Sequence, residues 1–155
     1  MFVGAPGSGK STFWSTYLKS YERINNDTLK TKEKCMKMTR ELLGQGQSVV
    51  IDNTNPTADV RARYTTIAAE MKIPIRAIYF DVPKERSMEN NFQRKANSHR
   101  QHLSRGISEI PIHTFYKHHT VPTEKEGFEK IIKVSFVAGP FENDEDKHAF
   151  YNLKK

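Results

Sequence analysis

Eight consecutive residues near the start of the chain have the types and spacing of a phosphate-binding loop. They match the pattern G-x-x-x-x-G-K-[ST] at every position and are Gly4, Ala5, Pro6, Gly7, Ser8, Gly9, Lys10 and Ser11. Glycines let the backbone turn its N–H groups towards phosphate oxygens, and the dipole of a following helix adds to that attraction. In such a loop the lysine contacts the β- and γ-phosphates, and the serine hydroxyl ligates Mg²⁺. We predict that these residues and the adjacent Thr12 bind ATP, with Lys10 acting in catalysis and Ser11 as a metal ligand. The alternative is a glycine-rich strand-to-helix turn with a chance lysine.

A carboxylate follows the second extended segment, in the run Asn25, Asn26, Asp27 and Thr28. One interpretation is that Asp27 caps the next helix by accepting its first amide hydrogen bonds. In a doubly wound sheet, however, the end of this strand faces the nucleotide crevice. There Asp27 could accept the proton of an acceptor hydroxyl as it attacks the γ-phosphate.

A second carboxylate, Asp52, ends an apolar run rich in β-branched residues, Ser48 to Asp52, and precedes Asn53, Thr54, Asn55 and Pro56. A carboxylate at this point is typical of the residue that holds Mg²⁺, or its water, beside the loop serine. We therefore predict a magnesium site made by Ser11 and Asp52. The polar residues after Asp52 either bond phosphates or form a turn.

Two arginines and one irregular segment complete the candidate site. Arg61 and Arg63 lie two residues apart on a predicted helix, so they project in different directions and one of them is expected to face the acceptor. For Arg63, a solvated helix face is an equal alternative. Residues 97–110 lack periodicity and contain two arginines, two histidines and a glycine, which is typical of a mobile lid.

Alternating strand and helix patterns must position these residues. The first strand is a stump, Phe2 and Val3, and an apolar run at 74–82 and a later one at 131–137 also predict strands. Helices are predicted at 11–19, 28–43, 57–71 and 84–96, after Pro111 and near the charged C-terminus. This order predicts an α/β fold with a parallel sheet covered by helices on both faces. Because a full strand normally precedes such a loop, we expect the chain to be a piece cut close to a domain edge.

Composition sets broad limits on function. The 155 residues predict one domain, 1–155, and the net charge of +7 favours a polyanionic partner, although it also serves solubility. No apolar run is long enough to predict a membrane span, and no signal peptide is visible. The single cysteine, Cys35, excludes an internal disulfide and suits a reducing compartment such as cytosol or nucleus.

The motifs together resemble the kinase domain of eukaryotic polynucleotide kinase 3′-phosphatases and, more distantly, viral 5′-end-healing kinases. The resemblance is carried by the loop, by N-x-D-T at Asn25 to Thr28, by I-D-N-T-N-P from Ile51 and by R-A-R-Y from Arg61. It continues through three later segments, Glu89 to Asn91, Pro111 with Tyr116 and Lys117, and Glu126 to Phe128.

The resemblance implies transfer of the γ-phosphate of ATP to the 5′-hydroxyl of a DNA strand, or alternatively an RNA strand, in strand-break repair. It implies that Asp27 is the general base, that Asp52 supports the metal, and that the lid arginines grip ATP. We assign those arginines to Arg94 and Arg105, with Arg100 as an alternative to Arg105. Contacts with the nucleic acid are expected from Asn26, Asp27, Asp52, Asn53, Arg61 and Arg63.

The chain departs from the family pattern at one residue. The family usually has an arginine just before the catalytic aspartate, and this chain has Asn26. No D-x-D-x-T phosphatase motif occurs, so phosphatase and scaffold-binding domains are expected in the rest of a longer parent chain. The resemblance alone implies a nuclear location, with the cytoplasm as the alternative.

Two other functions remain open. A P-loop kinase of a small hydroxyl metabolite would share the loop and both carboxylates. A nucleotide-dependent nucleic-acid-binding module would share the loop without transferring phosphate. The preference for DNA or RNA, and for one type of strand end, also stays open.

Overall fold

The computed structural model describes residues 1–97 and 107–136 of the chain. In this part strands and helices alternate. The strands are β1 (Phe2–Val3), β2 (Glu22–Ile24), β3 (Val49–Ile51), β4 (Arg76–Asp81) and β5 (Lys130–Ser135). The helices are α1 (Lys10–Tyr17), α2 (Asn26–Leu29), α3 (Lys32–Gly44), α4 (Ala58–Glu70), α5 (Lys84–Asn97) and α6 (Ile110–His118). A short 3₁₀ turn at Glu124–Glu126 precedes β5.

All described strand pairs are parallel, and they form two ladders with the orders β2-β3 and β1-β4-β5. Two hydrogen bonds join the ladders just beyond the strand ends. The Gly4 amide donates to the Thr54 carbonyl oxygen at 3.1 Å, and Asn55 Nδ2 donates to the Phe2 carbonyl oxygen at 2.7 Å. The carboxyl ends of β1, β2 and β3 therefore meet at one edge, where the phosphate loop begins.

Successive strand residues point to opposite faces of the sheet, and each face has its own apolar cluster. Ile51 packs with Ile24, Tyr64 and Ile67, on the face covered by α3 and α4. Its neighbour Val50 packs in the other cluster, beside α1. Helices on both faces of a parallel sheet confirm the predicted α/β class.

One predicted helix is two. The expected helix at 28–43 is interrupted at Lys30, whose φ of 72° lies in the left-handed region, so α2 ends there. Thr31 then caps α3 by accepting a hydrogen bond from the Lys34 amide at 3.2 Å. Because of this interruption, α2 is a separate helix of only four residues. The predicted C-terminal helix lies outside the described residues.

No helix in the described ranges combines the length and apolar character needed to cross a lipid bilayer.

Candidate active site

A cavity of about 670 Å³ lies at the carboxyl ends of β1, β2 and β3. The phosphate loop forms one end, and the turn before α2, the segment after β3 and the end of α5 form the rest. The predicted site residues that line it are Pro6, Gly7, Gly9, Lys10, Ser11, Asn26, Asp27, Asp52, Asn53, Arg63 and Arg94. Of the other loop residues predicted to bind ATP, Gly4, Ala5 and Ser8 are buried and Thr12 is exposed on α1, and none of the four is a lining residue.

The loop has the backbone shape that its glycines predict. Gly7 and Gly9 have φ angles of 81° and 93°, and Gly9 precedes the first turn of α1. Lys10 Nζ bends back to donate to the carbonyl oxygens of Gly4 at 2.9 Å and Ala5 at 2.7 Å. Burial lowers the pKa of Lys10 to about 8, opposed by the charge of Asp52. The lysine therefore holds its proton less tightly than an exposed lysine does.

Ser11 and Asp52, predicted as metal ligands, come together: Ser11 Oγ donates to Asp52 Oδ2 at 3.2 Å. The Asp52 side chain is only 1% exposed, yet both residues line the cavity. A hydroxyl beside a buried carboxylate fits Mg²⁺, which takes few protein oxygens and completes its shell with phosphates and water. This burial also corrects one expectation, because Ser11 and Arg23 cover the Asp52 carboxylate and leave almost none of it exposed for contact with a nucleic acid strand.

Arg23 is a site residue that the sequence analysis missed. Its Nε and Nη2 atoms lie 2.7 Å and 2.6 Å from Asp52 Oδ2, and Nη2 donates to Ser11 Oγ at 3.0 Å. The available signal was a charged residue inside a short strand whose next residue, Ile24, is apolar. Its partner lies 29 residues away in the chain, so spacing alone could not identify it.

Asp27 lines the cavity and does not cap its helix. The cap of α2 is Asn25, whose Oδ1 accepts a hydrogen bond from the Asp27 amide at 2.8 Å. Asn25 Nδ2 also donates to the Asp52 carbonyl oxygen at 2.6 Å. The side-chain amide of Asn25 thus joins the turn that carries Asp27 to the end of the strand that carries Asp52. The interpretation of Asp27 as the helix cap is wrong, because Asn25 is the cap.

The side chain of Asn53 also belongs to this arrangement. Its Oδ1 accepts a hydrogen bond from the Asn26 amide at 2.8 Å, so it ties the end of β3 to the first turn of α2. Both asparagines line the cavity, with Asn26 exposed.

The two arginines of α4 have separate surroundings, as their spacing predicted, but the role expected for Arg61 is corrected. Arg61 is 0% exposed. Its Nε and Nη2 donate to the two carboxylate oxygens of Glu126 at 2.7 and 2.8 Å, and Nη1 donates to three backbone carbonyl oxygens. It therefore fixes the end of β3 to the 3₁₀ turn and has no face for a nucleic acid. Arg63 is the partly exposed arginine that lines the cavity.

The end of α5 brings Arg94 to the cavity. Burial lowers the pKa of its guanidinium, and its charge in turn lowers the pKa of Lys10, so both face the same space.

Helix α5 is anchored by two asparagines. Asn90 Nδ2 donates to the Gly7 carbonyl oxygen at 2.8 Å, and the side-chain amide of Asn91 forms hydrogen bonds with the backbone N–H and the carbonyl oxygen of Ile107. Asn90 thus ties α5 to the phosphate loop, and Asn91 ties α5 to Ile107, near the end of the segment predicted as a lid. Arg105, Arg100 and most of that segment lie outside the described residues.

Comparisons with known proteins agree with this geometry. A family model described as an AAA domain matches residues 1–109. The chain is 41% identical over 138 residues to the bifunctional polynucleotide phosphatase/kinase of Schizosaccharomyces pombe, an alignment that covers 88% of this chain and 33% of that protein. The chain thus spans about a third of the length of this relative.

Solved structures with low sequence identity share the fold. Kti12 of Chaetomium thermophilum, in complex with ADP-AlF3, superposes with a TM-score of 0.69 at 16% identity, covering 98% of this chain and 95% of that chain. The APS kinase CysC of Mycobacterium tuberculosis, with AMPPNP and APS, gives a TM-score of 0.51 at 15% identity, covering 99% and 95%. Since the family model covers well over half of the sequence, the chain belongs to this AAA-domain family, and its architecture is the P-loop kinase fold.

Proposed function

We propose that the chain is an ATP-dependent 5′-hydroxyl polynucleotide kinase domain, which transfers the γ-phosphate of ATP to the 5′-hydroxyl end of DNA. One observation carries the proposal: Lys10, the Ser11–Asp52 pair and Asp27 line a single cavity. A phosphate donor and a proton acceptor thus share one space. The relative named as a polynucleotide phosphatase/kinase supports the choice of acceptor.

The donor end of the cavity is expected to bind the triphosphate. Loop amide N–H groups from Gly7 to Ser11 donate hydrogen bonds to phosphate oxygens, and Lys10 Nζ leaves the carbonyl oxygens of Gly4 and Ala5 for the β- and γ-phosphates. Ser11 and Asp52 would hold Mg²⁺, which, when bound, neutralises charge on the β- and γ-phosphate oxygens. Arg94 adds a second positive charge beside Lys10.

Asp27 supplies the general base in this proposal. Its carboxylate accepts the proton of the 5′-hydroxyl while that oxygen forms a bond to the γ-phosphorus. The bond from the γ-phosphorus to the β,γ-bridging oxygen breaks in line with this attack, and ADP leaves with the electron pair. The contribution of such proton transfer to rate is about 10²–10⁴-fold.

The acceptor end of the cavity carries positive charge without the arginine that the family has at position 26. Three basic side chains line this end, those of Lys30, Lys32 and Arg63, and they outnumber the nearby Glu33, whose Oε1 lies 3.8 Å from Lys32 Nζ. Lys30 Nζ donates to the Asp27 carbonyl oxygen at 2.6 Å, which fixes an ammonium group next to the proposed base. We assign to these three side chains the contact with strand phosphates that an arginine would otherwise make, and binding should weaken with salt.

Label transfer from ATP tests the proposal directly. The purified chain should label an oligonucleotide with a 5′-hydroxyl and should leave its 5′-phosphorylated counterpart unlabelled. Parallel reactions with an RNA oligonucleotide, a nicked duplex and a panel of nucleosides and sugars define the acceptor class. Labelling of small hydroxyl compounds alone would replace the proposal with a metabolite kinase. Nucleotide-dependent binding of the strand without any labelling would instead indicate a binding module.

We propose in addition that the product 5′-phosphate ends serve repair of broken DNA in the nucleus. The support is the motif resemblance together with the relative from fission yeast. Cells that lack the protein should then accumulate 5′-hydroxyl ends after strand breakage, and a complementing copy with Asp27→Asn should not remove them. Equal end counts in cells with and without the wild-type protein would reject the repair role and leave the kinase assignment standing.

A further inference from the structure

Arg23 occupies the position next to the oxygens that are expected to hold magnesium. Its guanidinium nitrogens lie 2.6 and 2.7 Å from Asp52 Oδ2, and Nη2 lies 3.0 Å from Ser11 Oγ. A cation carried by the protein thus bridges the hydroxyl and the carboxylate. The charge and hydrogen bonds of the guanidinium satisfy the groups that a divalent ion would otherwise satisfy.

Burial explains why a cation is needed there. The Asp52 side chain is 1% exposed, and a buried carboxylate without a partner is strongly destabilising. Mg²⁺ binds oxygens at about 2.0–2.1 Å and is itself doubly charged, so it would compete with the guanidinium for Asp52 Oδ2 and repel it. The metal and Arg23 are therefore alternative partners of the same oxygen.

Trp14 offers the guanidinium a second partner. The Arg23 guanidinium carbon lies 4.9 Å from the centroid of the Trp14 ring, and the arginine side chain is 30% exposed. Trp14 is anchored independently, because its Nε1 donates to the Tyr21 carbonyl oxygen at 3.3 Å. The arginine can leave Asp52 and Ser11, change its position over the Trp14 ring and gain solvent.

We propose that Arg23 is a positioning residue that acts as a replaceable counter-ion for the metal ligands. It balances Asp52 in the free protein and is displaced from Asp52 and Ser11 as magnesium and nucleotide bind. It thereby stabilises the free state and weakens magnesium binding. The inference rests on the magnesium site of the proposed function, but it is independent of the acceptor and of phosphoryl transfer.

The main test compares Arg23→Gln with Arg76→Gln. Arg76 is a matched control, because its Nε also lies 2.7 Å from a carboxylate oxygen, that of Glu129, at the opposite ends of the strands. We measure the melting temperature in EDTA, in ADP with EDTA and in ADP with magnesium, and titrate magnesium at saturating ADP. The Arg23 variant should melt lower than the control in EDTA and regain more stability from magnesium. Its half-saturating magnesium concentration should fall by about tenfold, a usual size for coupling between two ligands.

Trp14 gives a second measurement on the unaltered protein, since it is the only tryptophan of the chain. Magnesium added to the ADP complex should change its fluorescence as the guanidinium moves, and ADP with EDTA should not. The Arg23→Gln variant should show no such magnesium-dependent change. Arg23→Lys keeps a charge and should fall between the variant and the wild type in magnesium affinity.

Three results would overturn the inference. One is a higher magnesium requirement in Arg23→Gln, which would mean that Arg23 assists the metal. Another is the same magnesium dependence in the Arg23 and Arg76 variants. The third is a wild-type tryptophan signal that does not respond to magnesium, which would decide the matter even if Arg23→Gln failed to fold. Because ADP suffices for every measurement, an absence of polynucleotide kinase activity would leave the test unaffected.

Discussion

Gly7 and Ser87 are packed so closely that a β-carbon on Gly7 would lie 2.6 Å from the Ser87 carbonyl oxygen. The contact is supported by Asn90, one turn along α5, which donates to the Gly7 carbonyl oxygen. Helix α5 therefore rests directly on the phosphate loop, and its far end carries Arg94 to the cavity. The loop that binds phosphate and the helix that leads into the predicted lid are built as one unit.

Gly7→Ala should destabilise the fold and the nucleotide site together. The left-handed φ of 81° alone costs an L-residue about 1–2 kcal/mol, and the contact with the Ser87 backbone adds to that cost. We expect a loss of at least about 2 kcal/mol in urea unfolding. Gly44→Ala is the control, because it ends α3 and its β-carbon would meet nothing within 4 Å. Equal losses in the two variants would mean that α5 does not press on the loop.

The affinity for nucleotide should fall as pH rises above about 8. In the free protein, burial lowers the pKa of Lys10 to about 8, so above this pH the lysine is mostly neutral. Phosphate binding favours the charged form of Lys10. Above about pH 8, binding of a nucleotide is therefore accompanied by uptake of a proton by the lysine. The affinity for ADP in EDTA should drop up to about tenfold per pH unit between about pH 8 and the higher pKa of the complex.

Lys10→Met is the control for this titration. The variant lacks the ammonium group and should bind ADP weakly, with little change in affinity from about pH 7 to pH 9.5. The measurement is isothermal calorimetry in buffers of different ionisation enthalpy, which counts the proton taken up. If the wild type showed the same flat profile as the variant, the lysine would not be close to neutrality in the free protein.

The chemistry of the site could be predicted because its parts are local. The phosphate loop is contiguous, and Asp27 and Asp52 each follow a strand, so the rule that parallel strands end at one edge brings them together. The same reasoning could not identify Arg23, whose contact with Asp52 depends on the pairing of β2 with β3. It also could not identify the break at Lys30, because a left-handed lysine has no sequence signal comparable to glycine.

Arg61 shows where periodicity stops being informative. Side chains two positions apart on an α-helix point in directions that differ by about 200°. The spacing of Arg61 and Arg63 therefore correctly predicted that they have different surroundings. It did not indicate which of them faces the protein interior, because that depends on Glu126, 65 residues later. The resemblance included both Arg61 and Glu126 without assigning them to each other. In the structure they are an ion pair that holds the site together.

Arg61→Ala should unfold the domain far more readily than Arg63→Ala. Loss of Arg61 leaves the Glu126 carboxylate, 12% exposed, and three backbone carbonyl oxygens without their donor, and breaking such a pair costs about 3–5 kcal/mol. Arg63 is partly exposed, and its removal should change stability by about 0.5 kcal/mol or less. Urea unfolding measures both variants. Similar losses would contradict the structural role assigned to Arg61.

The loss of folding stability at acidic pH should depend on the Arg61–Glu126 ion pair. The hydrogen bond from Arg61 holds the pKa of Glu126 below its ordinary value. A carboxylate with a lowered folded-state pKa stabilises the fold above its unfolded pKa, and this contribution disappears as pH falls through the folded value. The wild type should therefore lose stability below about pH 4.5 more steeply than Glu126→Gln. If the unfolding free energies of the two proteins fell equally steeply at acidic pH, this contribution would be excluded.

Arg63→Gln should reduce the salt dependence of strand binding. If Arg63 contacts one phosphate of the acceptor, its loss should lower the slope of log affinity against log salt by about one. Arg76→Gln removes an equal charge away from the cavity and should leave the slope unchanged. Fluorescence anisotropy with a labelled 5′-hydroxyl oligonucleotide measures both. Identical slopes in these variants would remove Arg63 from the acceptor surface.

Asp27→Asn should abolish transfer and spare nucleotide binding. The side chain keeps its shape but cannot take the hydroxyl proton, so kcat should fall by about 10²–10⁴-fold. Because Asn25 supplies the helix cap, the helix should survive, and ADP affinity should change little. Asp59→Asn is the matched control, since Asp59 is also an exposed aspartate in a first helical turn, that of α4. It tests the helix-dipole contribution, worth about 0.3–1 kcal/mol of stability, and should leave kcat intact. If Asp27→Asn behaved like this control in the label-transfer assay, the carboxylate would have only an electrostatic role at its helix, and the proposed base would be wrong.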